Sequence, residues 1–216
     1  MQTIRVFRGG VTALLIGAVC AVMVVADGRA PDNEQPGLMA HYYRYAVNWD
    51  GNWPDTSPVP SASPSQWTFS NYAYSRKESV INHQFINNGW FTVRWQGLLD
   101  THPRPEANAG SATYEFEIWA DDGCRLYVDG RPLIDSWIPC AEDSPAARRT
   151  ATVVLTPGKH EIVVEYFQGQ SLKNGDRDPI KLSWSCPDRK IPKQPVPASH
   201  LSHTDAHANP EAGRLD

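Results

Sequence analysis

Residues Ala112 to Ala120 alternate apolar and polar side chains without interruption. Successive strand residues point to opposite faces, so a segment of this kind forms a strand with one face buried. Trp90 to Trp95 has the same period of two. Thr150 to Leu155 and Glu161 to Phe167 are β-branched runs parted by Thr156-Pro157-Gly158-Lys159, a turn composition, and Ile180 to Trp184 supplies a last strand. Arg125 to Val128 and Pro132 to Asp135 flank Asp129-Gly130, whose tolerance of positive φ predicts a tight antiparallel hairpin. Leu38 to Tyr43 reads as an aromatic-rich first strand. No stretch after residue 30 keeps apolar residues at helical spacing for three turns. These signals predict a single all-β domain, an antiparallel β-sandwich of two sheets connected as a meander, and exclude a parallel sheet for want of crossover helices.

The N-terminus sets the compartment. Arg5 and Arg8 precede an apolar run, Val11 to Ala26, that ends in small residues, the pattern of a signal peptide over residues 1–26. An uncleaved anchor is the alternative, since the run approaches the length of a short membrane span. Export predicts a secreted, periplasmic or cell-surface protein with no transmembrane segment once the signal peptide is removed. Residues 27–36 read as a polar linker, 37–187 as the sandwich, and 188–216 as a Pro- and His-containing mobile tail, disordered from Ser202 onward. Pro54 to Pro64 reads as a long surface loop, because prolines at this density suit neither helix nor central strand.

The chain carries 20 basic and 24 acidic residues. Cleavage after Ala26 removes two arginines and no acid, which deepens the net charge and excludes nucleic acid as a partner. The exported part keeps Cys124, Cys140 and Cys186, so at most one intramolecular disulfide forms. Cys140, in the loop-like stretch 138–147, would pair with Cys124 or with Cys186. Their spacing fits no zinc template.

The segment Ala120-Asp121-Asp122-Gly123-Cys124-Arg125-Leu126-Tyr127-Val128-Asp129-Gly130 resembles the signature of the PA-fourteen domain family, named for bacterial protective antigen and found also in yeast adhesins and β-glucosidase inserts. Phe91 to Gly97, Leu133-Ile134-Asp135 with Trp137, Leu155 to His160, and Val164 to Phe167 follow the family's motifs in the same order. The resemblance implies a β-sandwich recruited for glycan binding or adhesion. In sugar-binding members two adjacent aspartates joined by a cis peptide hold a calcium ion that also contacts sugar hydroxyls. Here the pair would be Asp121 and Asp122, with calcium as cofactor. The family draws its remaining ligands from the loop after the strand that here is Ile162 to Phe167. Where the family has asparagine this chain has Gln168-Gly169-Gln170, so Gln168 would offer the amide oxygen, with Asn174, Asp176 and Asp178 further along. Read from the residues alone, Asp121-Asp122-Gly123 is equally a solvated turn.

A sugar ring packs its C–H face on a flat aromatic and needs hydrogen bonds around its rim. Trp49 and Trp53, in a polar loop, are the candidate ligand-binding aromatics, with packing beneath that loop as the alternative. Trp95, Trp119 and Trp184 sit in strands and should be buried or half-buried. Asp129 belongs to the hairpin turn. His200, His203 and His207 would bind a metal adventitiously at most, in a mobile tail. No catalytic residues are assigned, since the chain holds neither a nucleophile elbow nor a His-Glu-x-x-His helix. The expected function is non-enzymatic: an exported carbohydrate-binding module for a glycan or cell-surface polysaccharide. The alternatives are a structural or protein-interaction domain binding another surface protein, and an accessory subunit of a carbohydrate-active enzyme.

Overall fold

Alternation along the sequence becomes two antiparallel sheets in the computed structural model, which describes residues 33–44, 68–86, 91–101, 110–169 and 177–211. The strands are β1 (Gln35–Pro36), β2 (Leu38–Arg44), β3 (Tyr72–Glu78), β4 (Asn82–Ile86), β5 (Phe91–Asp100), β6 (Ala112–Ala120), β7 (Cys124–Val128), β8 (Arg131–Ser136), β9 (Arg148–Leu155), β10 (Lys159–Gln168), β11 (Arg177–Cys186), β12 (Ile191–Pro195) and β13 (Leu201–His203). One sheet has the order β1-β13-β5-β10-β7-β8, with β2 on β5 and β3 on β2. The other has the order β12-β11-β6-β9, with β4 on β11. Every observed pairing is antiparallel.

Between the sheets lies the core. Val93, Trp95 and Leu99 of β5, Phe116 and Ile118 of β6, Ile162 and Val164 of β10, and Leu182 and Trp184 of β11 are all buried there. Within it Glu78 is a buried charge, and four donors surround it. Tyr42 Oη donates at 2.6 Å, Trp95 Nε1 at 2.6 Å and Arg76 Nε at 2.5 Å, and His83 Nε2 approaches at 2.7 Å. Burial by itself would raise the Glu78 pKa, but the contacts from His83, Tyr42 and Trp95 outweigh it and hold the carboxyl at about 2.

Four expectations fail, in whole or in part. The connectivity is not a meander, since β5 pairs with β2, β10 and β13 and the chain passes repeatedly between sheets. Periodicity assigns faces to a strand but not partners. The segment after residue 187 is not a mobile tail: β12 extends one sheet, β13 inserts between β1 and β5 in the other, and Val196, Leu201, His203 and His207 are buried. Its polar composition misleads because its backbone carbonyls, which leave no mark in the sequence, accept bonds from the larger sheet. Gln96 Nε2 donates to the carbonyls of His207 (2.7 Å) and Asn209 (2.9 Å), His41 Nε2 to His207 (2.9 Å), and Tyr43 Oη to Pro210 (3.1 Å). Gly97 permits the crossing, as a Cβ there would stand 2.4 Å from the Ser202 carbonyl oxygen.

The disulfide is also absent. Cys124, Cys140 and Cys186 are all free. The Cys140 sulfur instead lies 3.1 Å from an Arg149 guanidinium nitrogen and 3.4 Å from the Ala120 carbonyl oxygen. The linker expectation gives way at its end, where Gln35 and Pro36 pair with β13. The signal peptide, Trp49, Trp53 and the Pro54–Pro64 loop lie outside the described residues.

A carboxyl depressed in the folded state stabilises the fold above its unfolded pKa, and that contribution disappears as pH falls through the folded value. Glu78→Gln should therefore cost about 2–3 kcal/mol at pH 7 and little at pH 2. Urea midpoints at the two pH values check this, and an equal loss at both would refute the ionic role.

Candidate functional site

β6 ends at Ala120 and β7 begins at Cys124, leaving Asp121, Asp122 and Gly123 as a turn at one end of the sandwich. The Asp121–Asp122 peptide is cis, as the resemblance implied. Asp121 N–H donates to the Pro179 carbonyl of β11 at 3.0 Å, and Phe167 N–H donates to the Gly123 carbonyl at 3.0 Å. Glycine is required at 123, because a Cβ there would lie 2.1 Å from Phe167 Cε1. The turn is thus gripped by both sheets.

Asp122 is buried rather than solvated. Its Oδ1 accepts the Cys140 N–H at 2.9 Å and its Oδ2 accepts the Gly169 N–H at 2.6 Å. One carboxylate therefore ties the segment after β8 to the segment after β10. Tyr166 Oη shares its proton between the Asp121 carbonyl and Gln168 Oε1, and Gln168 Nε2 donates to the Gly169 carbonyl at 2.9 Å. Arg149 underlies the turn. Its Nη1 donates to the carbonyls of Ala120 (2.9 Å) and Asp122 (3.2 Å), its Nη2 reaches Cys140 Sγ (3.1 Å), and its Nε donates to Ser136 Oγ (3.1 Å).

The two carboxyls are electrostatically unequal. Burial raises Asp122, opposed by the Gly169 and Cys140 N–H groups and by Arg149. Asp121 is pushed up to about 7, first by burial and then by the charges of Asp122 and Asp178, with only a Glu142 N–H opposing among the main influences. Such a pair is a place where added positive charge, or hydroxyl donors, would be favoured. Burial lifts Cys124 to about 12, which leaves its thiol inert, and it raises Cys140 as well.

Of the residues expected from sequence, Asp121, Asp122 and Gln168 come together, while Trp49 and Trp53 lie outside the described residues. Asp129 is structural: its Oδ1 accepts Glu161 N–H at 3.0 Å and its Oδ2 meets His160 Nδ1 at 2.7 Å. The tail histidines are bonded too, His200 to the Asp100 carbonyl, His203 to the Gly37 carbonyl and His207 to Glu161. Sequence reading missed Arg149, Cys140, Tyr166 and Gly169. One signal was available for Arg149, which occupies an inward position of an alternating strand opposite Ile118.

The donor set is hard oxygen, which suits calcium better than a soft metal. Among the described residues no group of three or more His, Cys, Asp or Glu is arranged to hold a metal ion. A calcium site here would have Asp121 and Asp122 as its acidic ligands and take the rest from amide and backbone oxygens, Gln168 first among them.

The family model for the PA14 domain matches residues 77–196. Anti-sigma-I factor RsgI3 of Acetivibrio thermocellus is 31% identical over 146 residues, which cover 63% of this chain and 20% of that protein. A solved anti-sigma factor domain-containing protein superposes with a TM-score of 0.55 at 26% identity, covering 79% of this chain and 48% of its own. This chain therefore spans less than half of either protein. A PA14 sugar-binding domain from an RTX adhesin superposes with a TM-score of 0.54 at 18% identity, covering 78% of this chain and 98% of its own, and shows the fold.

A carboxyl whose folded pKa is raised destabilises the fold once it must ionise. For Asp121 that cost develops as pH rises from about 4 to about 7. Asp121→Asn should therefore be more stable than wild type by about 1–2 kcal/mol at pH 8 in chelator, with the full linkage value discounted for partial solvation. At pH 4 the two should unfold together. Thermal melts at both pH values check this, and a variant less stable at pH 8 would show that the charge is already compensated.

Proposed function

This chain belongs to the PA14 domain family, and from that premise we propose that it is an exported, non-catalytic glycan-recognition module whose site is the sandwich end around Asp121 and Asp122. The observation that carries the reading is the clamping of Asp122 by N–H groups from two separate segments, Cys140 and Gly169, which fixes its carboxylate beside that of Asp121. Recognition of sugar hydroxyls needs acceptors held in place before the ligand arrives, since ordering them on binding subtracts from affinity. Backbone donors do this without further charge. Calcium, when bound, would supply a centre able to coordinate neighbouring hydroxyls. Asp121, Asp122 and Gln168 would hold it, and Tyr166 would orient Gln168. The sugar-binding function named for the RTX adhesin domain supports the same reading.

A second reading rests on a different observation. Similarity to Anti-sigma-I factor RsgI3 and to an anti-sigma factor domain-containing protein favours a module that interacts with protein, or reports ligand occupancy, as part of a larger signalling chain.

Glycan-array binding and thermal melting of the exported protein, in calcium and then in chelator, separate the two. Free calcium at a hundred times its Kd should add about 2.7 kcal/mol of stability, a rise of several degrees at this size. Asp121→Asn should remove that rise together with sugar binding. An unchanged melt and a silent array in both conditions would overturn the glycan reading and favour the protein-interaction one.

A further inference from the structure

We infer that the site extends along the rim of the larger sheet to an aromatic ledge centred on Tyr74, so that the ligand is an oligosaccharide chain rather than a single terminal sugar. This rests on the glycan reading above and adds its length and second contact. The strand register carries the argument. Cys124 lies opposite Tyr166, Tyr166 opposite Val93, Val93 opposite Tyr42, and Tyr42 opposite Tyr74, so one row crosses β7, β10, β5, β2 and β3. Asp122 is two residues from one end of that row and Tyr74 is the other end. Four strand spacings separate them, about 19 Å, more than one sugar ring can bridge.

Beneath the rim the row is packed with rings, Tyr42 and Tyr166 buried and Tyr74 exposed at its end. Tyr74 stacks on Tyr42 at 4.7 Å between centroids and 13° between planes, Tyr42 meets Phe91 at 6.3 Å, Phe91 meets Phe85 at 4.9 Å, and Phe85 meets Tyr166 at 5.9 Å. Tyr166 Oη in turn bonds the Asp121 carbonyl. Ring packing thus holds the exposed Tyr74 in a fixed position relative to the acidic turn.

Exposure selects the same rim. Among the described residues the exposed large hydrophobic side chains are Tyr72 (48%), Tyr74 (47%), Ile138 (50%) and Val154 (65%). Val154 lies opposite Thr113, at the far end of the other sheet. Tyr72 and Tyr74 stand at one end of the rim, and Ile138, two residues past the Ser136 that faces Cys124, stands at the other. Tyr74 stacks on Tyr42 and is about half exposed. Exposed Arg44, opposite Phe91, places a guanidinium along the same edge, while Arg76 keeps its Nε on Glu78 and its Nη2 on the Tyr42 hydroxyl. A flat ring with donors beside it suits a pyranose, whose C–H face stacks while its hydroxyls bond outward.

Calorimetric titration of the exported protein with cello-, xylo- and galacto-oligosaccharide ladders, from single sugars to hexamers, tests the ledge. Wild type should bind one ladder with affinity that climbs with chain length. Tyr74→Ala should weaken the long members by roughly threefold to tenfold and leave the single sugar unchanged, while Tyr74→Phe should retain the climb. Binding of single sugars with no dependence on length would overturn the ledge and leave the acidic site standing. A climb that Tyr74→Ala does not touch would overturn the ledge as well, because the second contact would lie elsewhere. Failure of every ladder to bind would overturn both this inference and the glycan reading.

Discussion

Strand β5 is buried on both faces, and the arrangement of the rest follows from what those faces require. Its inner face, Val93, Trp95 and Leu99, asks only for apolar neighbours and receives them from the opposite sheet. Its outer face carries Thr92, Arg94 and Gln96, all buried. Buried polar groups must find partners or lose far more than an ordinary hydrogen bond is worth. Arg94 is answered by Glu165 through two bonds of 2.9 and 2.8 Å, with the Phe69 ring 4.1 Å from its Cζ, and Arg125 approaches the other oxygen of Glu165 at 3.3 Å. Thr92 donates to the Thr68 carbonyl at 3.0 Å. The Gln96 Nε2 is answered by the C-terminal backbone. The terminal segment is therefore part of the fold, closing a polar layer that would otherwise be open.

The acidic turn follows the same rule with a different outcome. For Asp122 two N–H donors and the nearby guanidinium of Arg149 offset part of the cost of burial. Asp121, one residue earlier, has only a Glu142 N–H set against its burial and the charges of Asp122 and Asp178. The turn has thus placed one carboxyl in a structural role and left its neighbour partly exposed. Compensating both internally would require a second buried cation. Among the described residues Arg149 spends its donors on carbonyls, a hydroxyl and a sulfur rather than on the Asp121 carboxylate.

Legibility in the sequence divides along physical lines. Strands with strict alternation, such as β6, were readable to the residue, because burial of one face imposes the period directly. The Asp129-Gly130 hairpin was readable because positive φ, observed at 50° and 72°, restricts the residue types allowed. β3 and β4 were not, since Tyr72–Glu78 and Asn82–Ile86 are largely polar and lack β-branched runs, and their edge placement removes the demand for an apolar face. β13 was not, because it is 3 residues long and pairs through its backbone, with Leu201 as its one apolar residue. At the site the motif yielded Asp121, Asp122 and Gln168. It did not yield Cys140 and Gly169, which act through their N–H groups, or Arg149 and Tyr166, which approach from other strands.

Together these features determine where a ligand can be met. The outer face of the larger sheet is occupied by the C-terminal segment. The outer face of the smaller sheet pairs its own charges: Glu117 holds Arg148 at 3.3 Å and Lys193 at 2.5 Å, and Arg148 lies over the Trp119 ring at 4.8 Å. Groups satisfied in this way have little to gain from a ligand, and exposed pairs of this kind contribute little by themselves. At the sandwich end the balance is different. Strands stop there, their terminal N–H groups turn toward side chains instead of a ladder, and rings that would be interior a few residues further along reach water. With the C-terminal segment on one broad face and paired charges on the other, the end that carries the Asp121–Asp122 turn is where the sandwich gathers its oxygen acceptors.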